Sequence, residues 1–235
     1  MFLRSNALII FCYAVLMASC QTNGNGRNEH LDVPSEVVGE IDEFWEIHLS
    51  GLSGCTTEDI CELYRRAAED AYLGTAFSRA RAQTDKIDSV LGVSIEEFVQ
   101  HSDAVRIENS DWLRKRISRV GWFDVSSSGQ FADEMAFLIV QHSDHNVEFQ
   151  IEVLELLEEL DANQNTSPAN IAYLTDRIAV SQGQMQVYGT QGSCVDSGEW
   201  SPSDIVNSSD VDERRTQRGL GPLAAYIESI SAGCG

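Results

Sequence analysis

Positive charge is scarce in this chain. Sixteen Lys and Arg side chains stand against 37 Asp and Glu, a formal net charge of −21 over 235 residues. So negative a surface repels nucleic-acid phosphates and anionic lipid headgroups. No nucleic-acid partner is therefore expected, and membrane attachment must come from something other than the protein face. Solubility through self-repulsion is the plain consequence of such charge. Long apolar runs are also lacking. The run Ala7 to Met17 (ALIIFCYAVLM) has eleven residues, twelve with the small Ala18, where spanning a bilayer takes about 20. Cysteine pairs at CxxC spacing are missing, which removes the usual zinc frameworks. His142-x-x-His145 with Asp144 has no third placed ligand, so no metal is expected either. No nucleophile elbow, P-loop, HExxH motif or dinucleotide fingerprint is present, and no cofactor is expected. No internal repeat is visible, and nothing in the sequence points to a protein partner.

What is present begins at the N-terminus. Arg4 supplies a positive start, the eleven-residue apolar run follows, and Ala18 and Ser19 are small residues of the kind a signal peptidase requires. Cys20 comes next, so Leu16-Met17-Ala18-Ser19-Cys20 looks like a lipobox. The expectation is a bacterial lipoprotein: residues 1–19 are an export signal and Cys20 carries the lipid. Several acyl chains on one cysteine make a stable anchor, where a single chain binds only marginally. This places the domain in the cell envelope, outside the cytoplasm and tethered to a membrane. Gln21 after the cysteine, in place of Asp, points to outer-membrane sorting in a Gram-negative host. Removing Arg4 with the signal leaves 15 basic against 37 acidic side chains, a net of −22. Residues 20–34, polar and Gly/Asn-rich, read as a flexible tether.

With Cys12 cut away and Cys20 lipidated, four cysteines remain in an oxidising compartment, and they allow three pairings. Proximity in sequence suggests Cys55 with Cys61. Stapling of the chain end to a hairpin suggests Cys194 with Cys234.

Helical spacing dominates the rest, and the fold class expected is mainly α, a helical domain with a small β-hairpin in the C-terminal half. Val37, Val38, Ile41, Phe44, Trp45, His48 and Leu49 recur at helical intervals, and a second helix starts near Thr57 with Ile60, Leu63, Tyr64 and Ala67 on one face. Val90 to Val99 reads as a short helix. Ser110 reads as the cap of another, with Leu113, Ile117 and Val120 inward and Gly121 ending it. Its Arg114, Lys115, Arg116 and Arg119 face reads as salt-bridged. Met135 to Val140 is apolar on every side, which predicts a helix buried all round. Val147 to Leu160 is amphipathic, with Glu148, Glu152, Glu155 and Glu159 as its solvated stripe. Ser167-Pro168 starts the next helix, which Gly183 breaks. Gln184 to Thr190 reads as a strand with Glu199 to Val206 as its partner, and two short helices close the chain. The organisation expected is an N-terminal helical region over 35–108 and a second domain over 109–235.

Polar residues break these patterns at a few places, and such breaks are where function tends to show. His142 falls on the side of its helix that carries Met135 and Leu138. Gln150 lies between Leu154 and Leu157 on an apolar face. Apolar residues surround Asp176 and Arg177. Unpaired burial of charges costs several kcal/mol, and an unpaired His or Gln on the order of 1–3 kcal/mol per lost hydrogen bond. The economical arrangement brings His142, Gln150, Asp176, Arg177 and Gln191 to one pocket.

The motifs Gln141-His142-Ser143-Asp144, Phe149-Gln150, Tyr173-Leu174-Thr175-Asp176-Arg177 and Gln186-Val187-Tyr188-Gly189-Thr190-Gln191 together resemble the QHAD…FQ…YLTDR…YGTQ signature of an uncharacterised bacterial domain family. Val211-Asp212-Glu213-Arg214-Arg215 and Gly219-Leu220-Gly221-Pro222-Leu223 look like its VDxRR…GLxPL ending. Asn109 to Trp112 with Gly121-Trp122 looks like its DNxxWL…GWP start. This chain departs with Ser143 for the usual Ala and Phe123 where Pro is common. The resemblance implies a shared fold and site, not a reaction.

Three functional readings follow. The domain binds a small polar or anionic ligand, with Arg177 meeting an anionic group and Gln150, Gln191 and His142 fixing orientation. Or it is a metal-independent enzyme of hydrolase or lyase type, with His142 as general acid or base and Asp176 orienting it. Or the same residues, including Tyr188 at its turn, are structural parts of an envelope protein.

The anchor has a direct test. Cys20→Ser is expected to leave the protein in the soluble fraction or as an unprocessed precursor, read by membrane fractionation and intact mass. A mature-sized product still in the membrane fraction would sink the lipoprotein reading.

Overall fold

The computed structural model describes residues 56–81, 88, 91–195 and 198–234. Cys20, Cys55, the expected tether and the expected helix around Val37 to Leu49 lie outside the described residues. Contacts divide the chain into two compact units, with the boundary between Lys115 and Arg116.

The first unit is built on α1 (Glu58–Arg81) and the N-terminal part of α2 (Ile95–Val120). Thr57 caps α1, its Oγ1 accepting from the Ile60 amide at 3.3 Å. Leu73, Ala76, Leu91, Phe98 and Val105 form a buried apolar cluster. Polar cross-links accompany it. Arg66, almost wholly buried, donates to Asn109 Oδ1 at 3.1 Å, and Asn109 Nδ2 donates to the Arg66 carbonyl at 3.2 Å. Arg66 also lies over the Trp112 ring, 5.2 Å from its centroid. Helix α2 corrects two expectations at once. A short helix near Val90–Val99 and a separate one capped by Ser110 are a single 26-residue helix. Ser110 is interior to it, and its hydroxyl donates to the Ile107 carbonyl at 2.9 Å. A serine satisfied within its own helix has no need to cap one.

The second unit is mainly α-helical with one two-stranded antiparallel hairpin. Its elements are a single turn α3 (Val125–Ser128), then α4 (Gln130–Gln141), α5 (Val147–Asp161) and α6 (Pro168–Ser181). The hairpin follows as β1 (Gly192–Cys194) and β2 (Trp200–Pro202), then α7 (Val211–Gln217) and α8 (Leu223–Ser231). Every residue from Met135 to Val140 is buried, as an apolar run without a polar side requires. Helices α5 and α6 pack along each other and both touch α4. Phe149, Val153 and Leu157 come in from α5, and Ile171, Leu174 and Ile178 from α6, while the glutamate stripe of α5 stays exposed. Full burial of each such side chain contributes roughly 1.5–3 kcal/mol. Ser143 is fully buried with its hydroxyl on the Ile139 carbonyl at 2.7 Å. Phe123 is also fully buried and lies under the Arg116 guanidinium at 3.6 Å.

The hairpin is displaced from its expected place. β1 pairs with β2 in the register Gly192↔Pro202, Ser193↔Ser201 and Cys194↔Trp200. Of Gln184 to Thr190, only Gln186 keeps a bridge, parallel, to Ile205. The residues after it spend their backbone groups on side chains, described below, and have none left for a ladder. Cys194 and Cys234 form the expected disulfide, Cα atoms 5.4 Å apart across 40 residues. Closing such a loop contributes roughly 4 kcal/mol on the chain-entropy account. Cys61 is also disulfide-bonded.

Asp133 holds the start of this unit together. It is fully buried in α4 and accepts four hydrogen bonds: Trp122 Nε1 at 2.7 Å, Thr166 Oγ1 at 2.8 Å, Asn170 Nδ2 at 3.1 Å and the Ser167 amide at 3.2 Å. Burial pushes its carboxyl up from the ordinary value, and the bonds from Trp122, Thr166 and Ser167 oppose that. Asp133→Ala is expected to strand these donors in the interior and to lower unfolding free energy by about 3 kcal/mol or more. The check is a denaturant midpoint shift at unchanged slope; a shift worth under about 1 kcal/mol would show the network to be dispensable.

Candidate functional site

Besides the Asp133 network, two groups of polar side chains form in the second unit; of the residues expected in one pocket, Asp176 and Gln191 fall in the first and Gln150 and Arg177 in the second.

The first group surrounds residues 186–191. Asp176, fully buried in α6, accepts from the amides of Val187 (2.7 Å), Tyr188 (2.9 Å) and Thr190 (2.8 Å) and from Thr190 Oγ1 (2.9 Å), with a longer bond from the Tyr188 amide to its other oxygen. The carbonyls of the same segment meet cations. Arg214 Nε donates to Val187 O at 2.9 Å and Arg215 Nη1 to Tyr188 O at 2.7 Å. Tyr226 Oη donates to Thr190 O at 3.2 Å. The guanidinium of Arg215, itself buried, lies 4.9 Å from the Tyr226 ring centre. Burial pulls the Arg215 pKa down and pushes the Tyr226 phenol up, with Tyr173 beside it adding to the rise. Gln186, also fully buried, clamps the far end. Its Nε2 donates to the carbonyls of Gln191 and Ser203, and its Oε1 accepts from the Gln191 amide, each at 2.8 Å. Gln191 turns its own amide to Thr190 Oγ1 at 3.1 Å. The Tyr188 hydroxyl accepts from Arg218 Nε at 3.4 Å, and Arg218 also pairs with Asp161 at 2.8 Å.

Gly189 is required here on two grounds. Its φ is +72°, which costs an L-residue roughly 1–2 kcal/mol. A Cβ would also lie 2.8 Å from Ile205 Cδ1 and 2.9 Å from Leu223 Cδ1. Asp176, Tyr188 and Gln191 thus shape a loop: acceptors face its N–H groups and donors face its carbonyls.

The second group is Asp144, Gln150 and Arg177. Asp144 follows α4 in the turn before α5, Gln150 sits in the first turn of α5, and Arg177 projects from α6. Arg177 Nη1 lies 2.9 Å from both Asp144 oxygens. Gln150 Nε2 donates to the Val140 carbonyl at 3.1 Å and to Asp144 Oδ1 at 3.3 Å, so Gln150 and Arg177 meet on one oxygen. Asp144 is 61% exposed, Arg177 20% and Gln150 fully buried, a gradient from solvent to interior. So exposed an ion pair adds only about 0–1 kcal/mol of stability. Its effect is to fix where Arg177 lies.

Two atoms of this group are buried with no hydrogen-bond partner: Gln150 Oε1 and Arg177 Nε. Leaving each bare costs about 1–3 kcal/mol, where an apolar residue of the same shape would cost nothing. His142 caps the C-terminus of α4 two residues before Asp144, half-buried, its amide on the Leu138 carbonyl at 3.1 Å.

Gln150 and Arg177 meet on Asp144, which stood outside the expected pocket; in the sequence it reads as a member of the Gln-His-Ser-Asp motif, weighed only with His142 and His145 as a metal ligand. The sequence also allows a structural network of Asp176 and Arg177 with Arg214 or Arg215; in the structure the two arginines bond the carbonyls of the segment whose amides Asp176 holds.

A family model described as a family of unknown function, DUF6624, matches residues 88–235. No curated protein and no solved structure matches the chain.

Asp176→Asn turns an NH2 donor toward donors of the loop. The expected result is a loss of roughly 2–4 kcal/mol together with faster hydrogen exchange at the Val187, Tyr188 and Thr190 amides. Unchanged protection at those three would refute the loop-holding role.

Proposed function

The chain belongs to this family of unknown function, from which no activity follows, and we propose that it is a lipid-anchored envelope protein binding a small polar ligand at Asp144, Gln150 and Arg177. One observation carries the binding reading. Gln150 and Arg177 share the exposed Asp144 carboxylate, and each keeps one buried polar atom, Oε1 and Nε, without a hydrogen-bond partner. Structural polar networks in this unit are complete by comparison: every acceptor of Asp176 and Asp133 is filled. Within the second unit these two atoms are the buried side-chain atoms left without a hydrogen-bond partner among the described residues, as Arg66 Nε is in the first unit, and unfilled donors and acceptors beside an exposed carboxylate support a binding reading. His142 stands at the end of α4, two residues before Asp144 in sequence.

The anchor is supported by Arg4, the apolar run and Ala18-Ser19-Cys20. Among the described residues no helix is long and apolar enough to cross a membrane. The acid–base alternative needs Asp176 to orient His142. Asp176 instead carries its hydrogen bonds from residues 187–190, which weighs against that alternative.

Native extraction tests the reading. Wild-type protein taken from membranes in mild detergent is expected to carry a small molecule, detected by mass spectrometry after denaturation. Arg177→Gln protein, verified as folded by circular dichroism, is expected to have lost it. Identical small-molecule content in the two would overturn the assignment.

A further inference from the structure

The C-terminal helix is held by a covalent bond that a thiol can open, and we infer that the Cys194–Cys234 disulfide is a redox-operated latch on α8. The inference is independent of the Asp144 cluster. Helix α8 has nine residues, and none of them is fully buried. So short a helix is marginal in water by itself and persists through what docks it. Its docking is sparse and gathers at the bridge. Ser231 Oγ accepts from the Trp200 amide at 2.9 Å, and Trp200 is the register partner of Cys194. Cys234 follows with its own amide on the Ser231 carbonyl at 3.0 Å. At the other end of α8, Leu223 lies against Gly189, and its amide donates to Asp212 Oδ1 at 2.7 Å. Between the two ends, Tyr226 reaches the Thr190 carbonyl and meets the Trp200 ring edge-on.

The bridge is placed where a reductant can reach it. Cys194 lies on β1, whose three residues are all exposed, and Cys234 is half-buried. Exposed disulfides are the labile and regulatory ones. The reductant is a dithiol, of the class that thiol–disulfide oxidoreductases present. One of its thiolates attacks Cys194 Sγ, and Cys234 leaves as a thiolate. The second thiolate then attacks the mixed disulfide, closes the reductant's own disulfide and releases Cys194. The dithiol gives up two electrons, and its two protons end on the two cysteines. Reduction opens a covalent loop of 40 residues. Helix α8 then detaches from β2 while the packing of α4, α5 and α6, to which it lends no fully buried side chain, stays closed. Detachment uncovers Trp200 and the Arg215 guanidinium, which are 7% and 1% exposed with the latch shut.

Hydrogen exchange read by mass spectrometry tests this on the full chain in detergent micelles. Three samples are compared: the oxidised protein, the same protein treated with dithiothreitol without denaturant, and Cys194→Ser/Cys234→Ser. The double variant removes this bridge and leaves that of Cys61 intact. The expected result in the second and third samples is exchange roughly tenfold or more faster over α8, with α5 and α6 unchanged. Reoxidation of the wild type is expected to restore protection. Alkylation of Cys194 and Cys234 in the reduced, undenatured protein shows that the bridge has opened. Unchanged exchange over α8 with both cysteines alkylated would overturn the latch. Equal acceleration over α5, α6 and α8 would do the same, since the bridge would then staple the whole unit. A bridge that resists dithiothreitol until the protein is denatured would also overturn it.

Discussion

The Asp176 carboxylate is the constraint around which the C-terminal half of this protein is arranged. An ionised group taken fully out of water costs several kcal/mol unless its lone pairs are filled. Here backbone amides and one hydroxyl of residues 187–190 fill them. That choice has consequences in order. The segment cannot pair as a strand, since its N–H groups are spent. Its carbonyls turn outward and need donors, which Arg214, Arg215 and Tyr226 supply from α7 and α8. Those two helices are thereby held in place with few fully buried apolar side chains of their own: α8 has none. The Cys194–Cys234 disulfide and the Trp200–Tyr226 edge-to-face contact, 5.6 Å between ring centres, secure the same helix from the hairpin side.

Asp133 does comparable work at the other end of the unit, and the comparison clarifies what is unusual about Gln150 and Arg177. Both aspartates are fully buried, and the two oxygens of each meet donors from outside its own helix. Each network is closed. The third cluster has an exposed carboxylate, a buried amide and a guanidinium, and it is open at two atoms. The physical distinction among the polar clusters of this unit is thus hydrogen-bond completeness, since closed and open clusters draw on the same motif residues.

Asp176 and Arg177 illustrate how adjacency in sequence misleads. Successive helical residues point about 100° apart, so two neighbours in one motif serve different clusters. Asp176 turns to the loop and Arg177 to Asp144. Read as one dimension, Tyr-Leu-Thr-Asp-Arg invites a single pocket. In three dimensions it is a junction between the loop network and the Asp144 cluster. Asp133 had a comparable signal that went unread: it shares a helix face with Ala136, Phe137 and Val140, all buried.

What the sequence determined by itself was local and periodic. Apolar spacing sufficed for α1, α4, α5 and α6 and for the mainly helical class, because helix formation and burial of an apolar face follow from residues three and four apart. Ser167-Pro168 and Gly121 marked helix ends through backbone geometry alone. The cysteine spacing suggested Cys194 with Cys234, and the polar breaks singled out Gln150, Asp176 and Arg177. Tertiary structure decided the rest. It merged two expected helices across Ser110, where no proline or glycine forces a stop and a side-chain bond to the helix's own carbonyl removes the need for a cap. It moved the hairpin to Gly192–Pro202, because Asp176 and the two arginines took the backbone groups of the expected strand. And it chose Asp144 as the residue joining Gln150 to Arg177, since which partner satisfies a buried polar atom depends on what the fold brings within hydrogen-bond distance.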